Sequence, residues 1–342
     1  MAPRSFNGED PYSEERPHRE NVVRGIQLAI EQELPDRNRE ITDIEREKLI
    51  FFAIKEFDLP ITYSWYLAGA ATAIGGDDMS QGPSPGPEFG ELRATQAESD
   101  DVREYRDFFT SGELMPDYTL KDIWWTATDE FLLDFYDEFV PEECEEYHDI
   151  YTSSTKLRAK LKNLNEMLRT ESEHATLSNF DAGTQGVLDR SDENEIRYLV
   201  SDVHMDLAST ESVEQTVGAV SLGTDLIEHV LTQLTREDSL SSEQRAMVNR
   251  LSNFFYYWVW KYPALCISVE TATGPNALSR KVDHLSEYDG FDEKLKRKIK
   301  RVTQQCEDVG LLPDTGAHTE ALDEDTAAGL HGLTKEFIDN SE

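Results

Sequence analysis

Basic residues are scarce in this sequence: 33 Lys and Arg stand against 69 Asp and Glu, a formal net charge of −36 over 342 residues. Within that small basic set, Arg outnumbers Lys by 20 to 13. A surface this acidic repels phosphates, anionic membranes and other copies of itself in dilute buffer. The composition therefore argues against general nucleic-acid or membrane-surface binding and leaves only local cationic sites for such partners.

High salt weakens this electrostatic repulsion. The Debye length falls to about 3 Å at 1 M salt, so repulsion between exposed carboxylates is screened while the carboxylates stay hydrated. A surplus of Asp, Glu and Arg with little Lys resembles the composition of proteins from haloarchaea that accumulate salt in the cytoplasm. The resemblance implies a halophilic, cytoplasmic protein whose carboxylates solvate a folded core.

Cysteine and long apolar runs are also scarce. The three cysteines, Cys144, Cys266 and Cys306, are far apart and form no CxxC pair, which indicates reduced thiols. The longest apolar stretch, residues 254–269, is interrupted by a Lys and a Pro and is shorter than the roughly 20 residues of a membrane-spanning helix. The first ten residues contain no apolar run, so we expect no secretory signal and no membrane partner.

Helical periodicity dominates what is present. Apolar residues recur at spacings of three and four, and no run alternates convincingly as a half-buried strand would. The predicted fold class is all-α, a multi-helix bundle with a sizeable core, since 38% of the residues are hydrophobic. Helices are predicted at residues 18–34, 43–59, 63–71, 101–109, 119–139, 141–168, 196–207, 213–234, 242–262 and 291–309.

Domain boundaries are predicted where this periodicity is lost. Residues 75–90 read GGDDMSQGPSPGPEFG, and their Gly and Pro content cannot sustain a helix. This segment lacks the Gly-Lys-Ser/Thr ending of a P-loop, which favours an exposed loop or a linker. We predict an N-terminal helical module at 1–95, a helical bundle at 96–312 and an acidic, partly disordered tail at 313–342. One weak helix is expected in the tail, near residues 326–338.

Candidate metal ligands are few. Cys144 and His148 lie four residues apart, about one helical turn, which would let two side chains share a metal ion. No second Cys/His pair lies nearby, so we predict neither a metal nor a cofactor. Aromatic stripes at helical spacing, which could stack on a ring ligand, are interpreted as core packing.

Two Arg–His pairs are the candidates for catalysis. Four residues separate Arg169 from His174, and six separate Arg197 from His204. This spacing is similar to the Arg-x(4–6)-His spacing of the helical HEPN ribonucleases, in which the pair contacts the scissile phosphate. The resemblance implies a ribonuclease of a defence system as an alternative function.

One segment is strongly basic. Its cations, in the run KLKRKIKR, are Lys294, Lys296, Arg297, Lys298, Lys300 and Arg301. Cations concentrated in so acidic a chain indicate an anionic partner, either nucleic acid or an acidic protein surface. The alternative is internal, because such cations can pair with neighbouring carboxylates or with the acidic tail. A second, weaker cluster lies at residues 156–162.

A family resemblance covers residues 46–69, which read REKLIFFAIKEFDLPITYSWYLAG. Lys48 and Leu49 begin an apolar helix, residues 60–62 form a Pro-Ile-Thr turn, and an aromatic segment ends at Gly69. The segment resembles the start of Panacea-type, SocA-like antitoxin domains. The resemblance implies a helical module that binds a protein partner or regulates a toxin, without catalytic residues.

These features lead to one hypothesis and two alternatives. The hypothesis is a non-enzymatic helical protein of a halophile that binds a macromolecular partner in a regulatory, antitoxin-like role. A protein partner is expected, and nucleic acid could bind through residues 294–301. The alternatives are an HEPN-like ribonuclease or other defence enzyme, and a structural helical protein whose basic segments neutralise its own acid.

Overall fold

The computed structural model describes residues 10–35, 39–74, 99–112, 114–140, 146–168 and 186–313. The helices are α1 (Arg16–Glu33), α2 (Asp43–Phe57), α3 (Asp100–Ser111), α4 (Leu120–Trp125), α5 (Thr128–Phe139), α6 (Glu146–Met167), α7 (Arg190–Ser209), α8 (Val217–Leu234), α9 (Ser242–Val248), α10 (Leu251–Phe254), α11 (Lys261–Thr271), α12 (Ala277–Tyr288) and α13 (Phe291–Asp308). A 3-10 turn at Glu214–Thr216 precedes α8, and a π-helical turn at Phe255–Val259 connects α10 to α11. Two short strands, β1 (Tyr63–Tyr66) and β2 (Gly69–Thr72), complete the described elements. The predicted all-α class is confirmed.

Local sequence signals fix the ends of α2. The hydroxyl of Thr42 accepts from the backbone N–H of Glu45 at 3.2 Å, and the Glu45 carboxylate accepts from the N–H of Thr42 at 3.0 Å. This reciprocal capping box satisfies two N–H groups that the helix leaves without internal partners. Asp58 then adopts the left-handed conformation, with φ 49°, and ends the helix just before Pro60.

The predicted short helix at residues 63–71 is wrong: this segment forms an antiparallel hairpin. Tyr63 pairs with Thr72, and Tyr66 pairs with Gly69, whose φ of 84° suits a turn glycine. Aromatic and β-branched residues favour strands. Because nearly all of the hairpin is buried on both faces, its sequence lacks the alternation that identifies a half-buried strand.

The single helix predicted across residues 119–139 is divided into α4 and α5. Thr126 and Ala127 are extended between them. Arg39 donates from Nε to the carbonyl oxygen of Trp124 at 3.1 Å, which satisfies the C-terminal end of α4. Thr128, at the start of α5, donates to the Glu45 carboxylate at 2.9 Å. Arg39, which precedes α2, and Glu45, in the first turn of α2, therefore bind the two sides of the break.

The aromatic run at residues 254–262 does not continue one regular helix. In the π-helical turn, the N–H of Trp260 donates to the carbonyl of Phe255 at 2.8 Å, five residues back. The extra residue re-aims the side chains that follow, and Trp260 donates from its indole to the Leu67 carbonyl at 2.7 Å. The run lies in the core, as predicted.

The core continues across the predicted boundary at residue 95. Trp65 of the hairpin packs edge-on against Tyr151 of α6, with ring centroids 5.3 Å apart. In α1, a side chain at Gly25 would come within 2.5 Å of Tyr105 in α3, so only glycine permits this close packing. The division at residue 95 stays a prediction. The predicted loop at 75–90 and the tail from residue 314 onward lie outside the described residues.

A helix that crosses a bilayer needs about 20 consecutive, predominantly apolar residues. Within the ranges given above, no helix is both long and apolar enough to cross a bilayer.

Candidate partner-binding surface

The basic segment lies on α13, whose buried side packs into the core. The buried residues of this helix are Phe291, Leu295, Val302 and Cys306. Their spacings of four, seven and four residues place them on one side of the helix. Five of the six cations in the segment are exposed, and Lys298 is partly exposed. The apolar residues of α13 therefore anchor this helix to the core, and the basic segment forms its solvent-exposed side.

Three of the cations have partners within the helix or beside it. Lys296 donates to Asp292 at 2.7 Å, and this hydrogen bond is the main cause that raises its pKa. Arg297 donates from Nε to the carbonyl of Glu293 at 3.1 Å. Lys298 lies 4.9 Å from the centre of the Trp258 ring, and burial lowers its pKa. Within the described part of the chain, the internal pairing expected from the sequence thus neutralises Lys296.

The remaining cations, Lys294, Lys300 and Arg301, form no hydrogen bond or ion pair with any described residue. Arg297 lies among them, and its Nε donates to the neutral carbonyl of Glu293. On an α-helix these four positions span about two turns, or about 10 Å, on the side opposite the buried residues. We call this set of four residues the cationic face of α13.

The weaker basic cluster on α6 is arranged differently. Lys160 pairs with Glu195 at 2.7 Å, and Lys162 pairs with Asp129 at 2.6 Å. The guanidinium of Arg158 lies 3.7 Å from the centre of the Tyr256 ring. Three of the four cations in this cluster, Arg158, Lys160 and Lys162, therefore attach α6 to its neighbours, and the fourth, Lys156, is exposed. The contrast with α13 shows that the cationic face is not a general property of basic segments in this chain.

The candidate metal ligands are only partly described. Cys144 lies outside the described residues. His148 contacts Asp137 at 2.6 Å and Asp149 at 3.0 Å through its two ring nitrogens. Burial opposes a charged imidazole, but these two carboxylates outweigh burial and raise the pKa of His148. Among the described residues, no group of three or more His, Cys, Asp or Glu side chains is arranged to hold a metal ion.

Only one of the two Arg–His pairs can be placed, since Arg169 and His174 lie outside the described ranges. Arg197 binds Glu193 at 3.0 Å, Glu228 at 3.4 Å and the Thr232 hydroxyl at 2.6 Å. Two carboxylates thus already neutralise this guanidinium, which suits a structural ion pair better than a phosphate contact.

His204 is held at the interface of α7 and α8. Its Nε2 lies 2.9 Å from the Thr224 hydroxyl. Burial lowers the pKa of His204, although Asp225 and Glu228 act in the opposite direction. A neutral imidazole with a hydroxyl partner can fill a structural role. The ribonuclease hypothesis stays a prediction.

Sequence reasoning missed a buried polar network around the hairpin. Glu47 of α2 accepts from Arg19 of α1 at 2.9 Å, and from the N–H and hydroxyl of Thr72 at 2.9 and 2.7 Å. Burial opposes ionisation of Glu47, but Arg19, Arg46 and the Thr72 hydrogen bonds lower its pKa overall. Next to it, Lys48 donates to the Ala70 carbonyl at 2.6 Å.

A second part of this network holds the entrance to the hairpin. Glu15 accepts from the N–H and hydroxyl of Thr62 at 2.7 and 2.6 Å, and from the Asn276 side chain at 2.8 Å. Arg280 of α12 donates to Ser64 at 3.1 Å. The charged members of the network, Glu15, Arg19, Glu47, Lys48 and Arg280, are at most 3% exposed. Groups this enclosed position the hairpin and do not offer a surface to a ligand.

The fold and surface define a helical protein built around a buried hairpin, with one cationic helix face. The chain belongs to the family described as a domain of unknown function, DUF8098, whose model matches residues 8–338. The match covers most of the chain, including residues on both sides of every undescribed internal range. Comparisons with curated proteins and with solved structures found no match.

Proposed function

We propose that this protein works by binding an acidic protein partner through the cationic face of α13, in a regulatory, antitoxin-like role. The observation that carries the proposal is the absence of counter-ions for Lys294, Lys300 and Arg301 among the described residues. In a chain with more than twice as many acidic as basic residues, these three exposed cations lie together on one helix. They provide charge complementarity, which fixes the choice and orientation of a partner.

We favour a protein partner over a nucleic-acid partner because salt affects the two kinds of contact differently. The composition points to a saline cytoplasm, where contacts with phosphates weaken steeply as counter-ions compete. A protein partner can add apolar burial, which salt does not weaken. The antitoxin-like role itself comes from the resemblance of residues 46–69, which lie in α2, β1 and the segments beside them.

The test compares two triple variants that change the net charge equally. The first reverses Lys294, Lys300 and Arg301 to Glu on the cationic face. The matched control reverses Arg190, Arg236 and Arg250 to Glu, three exposed arginines on separate segments. Each tagged full-length protein is purified from native lysate in molar KCl, and the retained protein and nucleic acid are both identified.

We expect one protein partner to be retained by the wild type and by the control, and to be lost from the variant of the cationic face. Equal retention by the two triple variants, or retention of nucleic acid alone, contradicts the proposal. Circular dichroism of all three proteins checks that the reversals leave the helices intact. Alanine at His174 and His204, with RNA cleavage as the readout, tests the ribonuclease alternative separately.

A further inference from the structure

Helix α12 was not predicted from the sequence, and it is oriented with its charged side inward. Its buried residues are Arg280 and His284. Arg280 donates to Ser64 at 3.1 Å, and the His284 ring lies 4.7 Å from the Tyr66 ring. The polar residues of α12 therefore pack on the hairpin, in the reverse of the usual amphipathic arrangement.

The opposite side of α12 exposes three large apolar side chains. Leu278 is 76% exposed, Val282 is 48% exposed and Leu285 is 54% exposed. Their spacing of four and three residues places them in one row along the helix. We call this row the outer stripe of α12. Lys281 flanks it and forms no ion pair with a described residue.

The size of the outer stripe limits what can cover it. Three side chains over two helical turns present far less area than the about 800 Å² that a stable complex buries on each partner. A free partner or a second copy of the chain would bind too weakly through this stripe alone. A tethered segment needs much less contact, because a short linker supplies an effective concentration in the millimolar range.

The chain itself provides such a segment after the last described residue, residue 313. Leu330, Leu333 and Phe337 repeat at spacings of three and four, which complements the four-and-three spacing of the outer stripe. Residues 314–342 contain eight Asp and Glu and a single Lys. Their negative charge complements Lys281, which flanks the outer stripe.

The connecting chain is long enough for this contact. The 17 residues from residue 313 to Leu330 can span at most about 56–61 Å. Helix α13 has 18 residues and α12 has 12, so their combined length is about 45 Å. Since only Asp289 and Gly290 separate the two helices, every position on α12 lies within reach.

We propose that residues 326–338 dock on the outer stripe of α12 and cover Leu278, Val282 and Leu285. The family match reaches residue 338, so this segment belongs to the sequence that the family shares. The inference goes beyond the proposed function and does not depend on it, because it concerns a contact within one chain.

Trypsin provides the test, since Lys335 is the single Lys or Arg after residue 313. Docking should protect the bond after Lys335 in the intact chain. A double variant with Asp at Leu278 and Leu285 should be cleaved after Lys335 at least about tenfold faster than the wild type. The matched control places Asp at Met205 and Leu222, two exposed apolar residues on α7 and α8, and should be cleaved at the wild-type rate.

Two substitutions in the tail test the same contact while leaving the sequence of α12 unchanged. Leu330→Asp should accelerate the same cleavage, and Leu322→Asp, outside the docking segment, should not. Mass spectrometry of the released residues 336–342 gives the rate. Equal rates for all variants overturn the proposal. A wild-type rate that rises on dilution also overturns it, because that result identifies a second copy as the cover.

Discussion

The ammonium group of Lys48 donates a 2.6 Å hydrogen bond to the carbonyl oxygen of Ala70 and thereby connects α2 to the hairpin. Lys48 has no exposed surface, and its Nζ also lies 4.9 Å from the centre of the Phe135 ring. Burial lowers the pKa of Lys48 to about 7, and the charge of Glu47 only partly offsets this effect. The hairpin is thus held by a cation that the core tolerates poorly.

This lowered pKa predicts a pH-dependent stability. Between pH 7 and the ordinary lysine pKa of 10.5, the unfolded chain binds a proton that the folded chain does not. The free energy of unfolding should therefore rise with pH in this window, by at most about 1.4 kcal/mol per pH unit from this group. Lys48→Met should remove that contribution, so its gain in stability over the wild type should be full below pH 7 and should shrink as pH rises toward 10.5.

Denaturant unfolding at pH 6, 8 and 10 in molar KCl measures the effect as the difference between wild type and variant. Using the difference cancels the titration of groups that both proteins share. Lys55→Met, at an exposed position on the same helix, is the matched control and should follow the wild type. A constant difference between wild type and Lys48→Met at all three pH values contradicts this account.

The Glu47–Arg19 ion pair predicts a second effect, of opposite sign. Glu47→Gln removes one charge from a pair whose side chains are 0% and 4% exposed. Breaking a buried pair in this way costs about 3–5 kcal/mol. Glu193→Gln, in the partly exposed pair with Arg197, should cost no more than about 1 kcal/mol. Urea or guanidinium unfolding of both variants compares the two costs, and equal values would show that burial does not govern them.

Lowering the pH should reveal how much the Glu47 carboxylate contributes to stability. Because the pKa of Glu47 is lowered in the folded protein, its contribution to stability is present above the unfolded value of 4.5 and is lost as pH falls through the folded pKa. The wild type should therefore lose stability below pH 4.5 more steeply than Glu47→Gln. Parallel acid titrations of the two proteins, followed by circular dichroism, check this difference.

The predicted helix at residues 43–59 agrees closely with α2, because neighbouring residues fix its ends. The Thr42 capping box and the Pro60 stop define α2 within a few residues of the chain. The buried network is the opposite case, since Glu15 binds Thr62 47 positions away and Asn276 261 positions away. Hydrophobic periodicity along the sequence carries no information about such long-range hydrogen bonds. A Glu-Lys pair at 47–48 on the apolar side of a predicted helix was the one available signal.

The errors at the hairpin and at α12 share a physical cause. Periodicity identifies an element by assuming that one side is apolar and buried while the other is polar and exposed. The hairpin is buried on both sides, and α12 buries Arg280 and exposes Leu278. The cationic face of α13 was predictable because that helix obeys the assumption, although which cations lack counter-ions required the structure.

Two glycines on α8 predict opposite responses to the same substitution. A Cβ at Gly223 would lie 2.5 Å from a methyl group of Val259, whereas a Cβ at Gly218 would meet nothing within 4 Å. Gly223→Ala should destabilise the protein by about 1–3 kcal/mol through overpacking. Gly218→Ala should stabilise it by up to about 1 kcal/mol, because alanine favours the helix. Thermal unfolding distinguishes them, and a shift of equal sign in both variants would contradict the packing.

The net charge of −36 predicts that the fold requires salt. Exposed carboxylates repel one another over about 10 Å at 0.1 M salt but over only about 3 Å at 1 M. Lowering KCl from 2 M to 0.1 M should therefore reduce the helical circular dichroism signal and the midpoint of thermal unfolding. Salt also strengthens apolar burial by exclusion from the protein surface, so a second condition must separate the two causes. Sucrose favours burial without screening charge, and we expect it to restore little of the lost structure at 0.1 M KCl. If the helical signal and the unfolding midpoint stay unchanged at 0.1 M KCl, the carboxylate surplus is not an adaptation to salt.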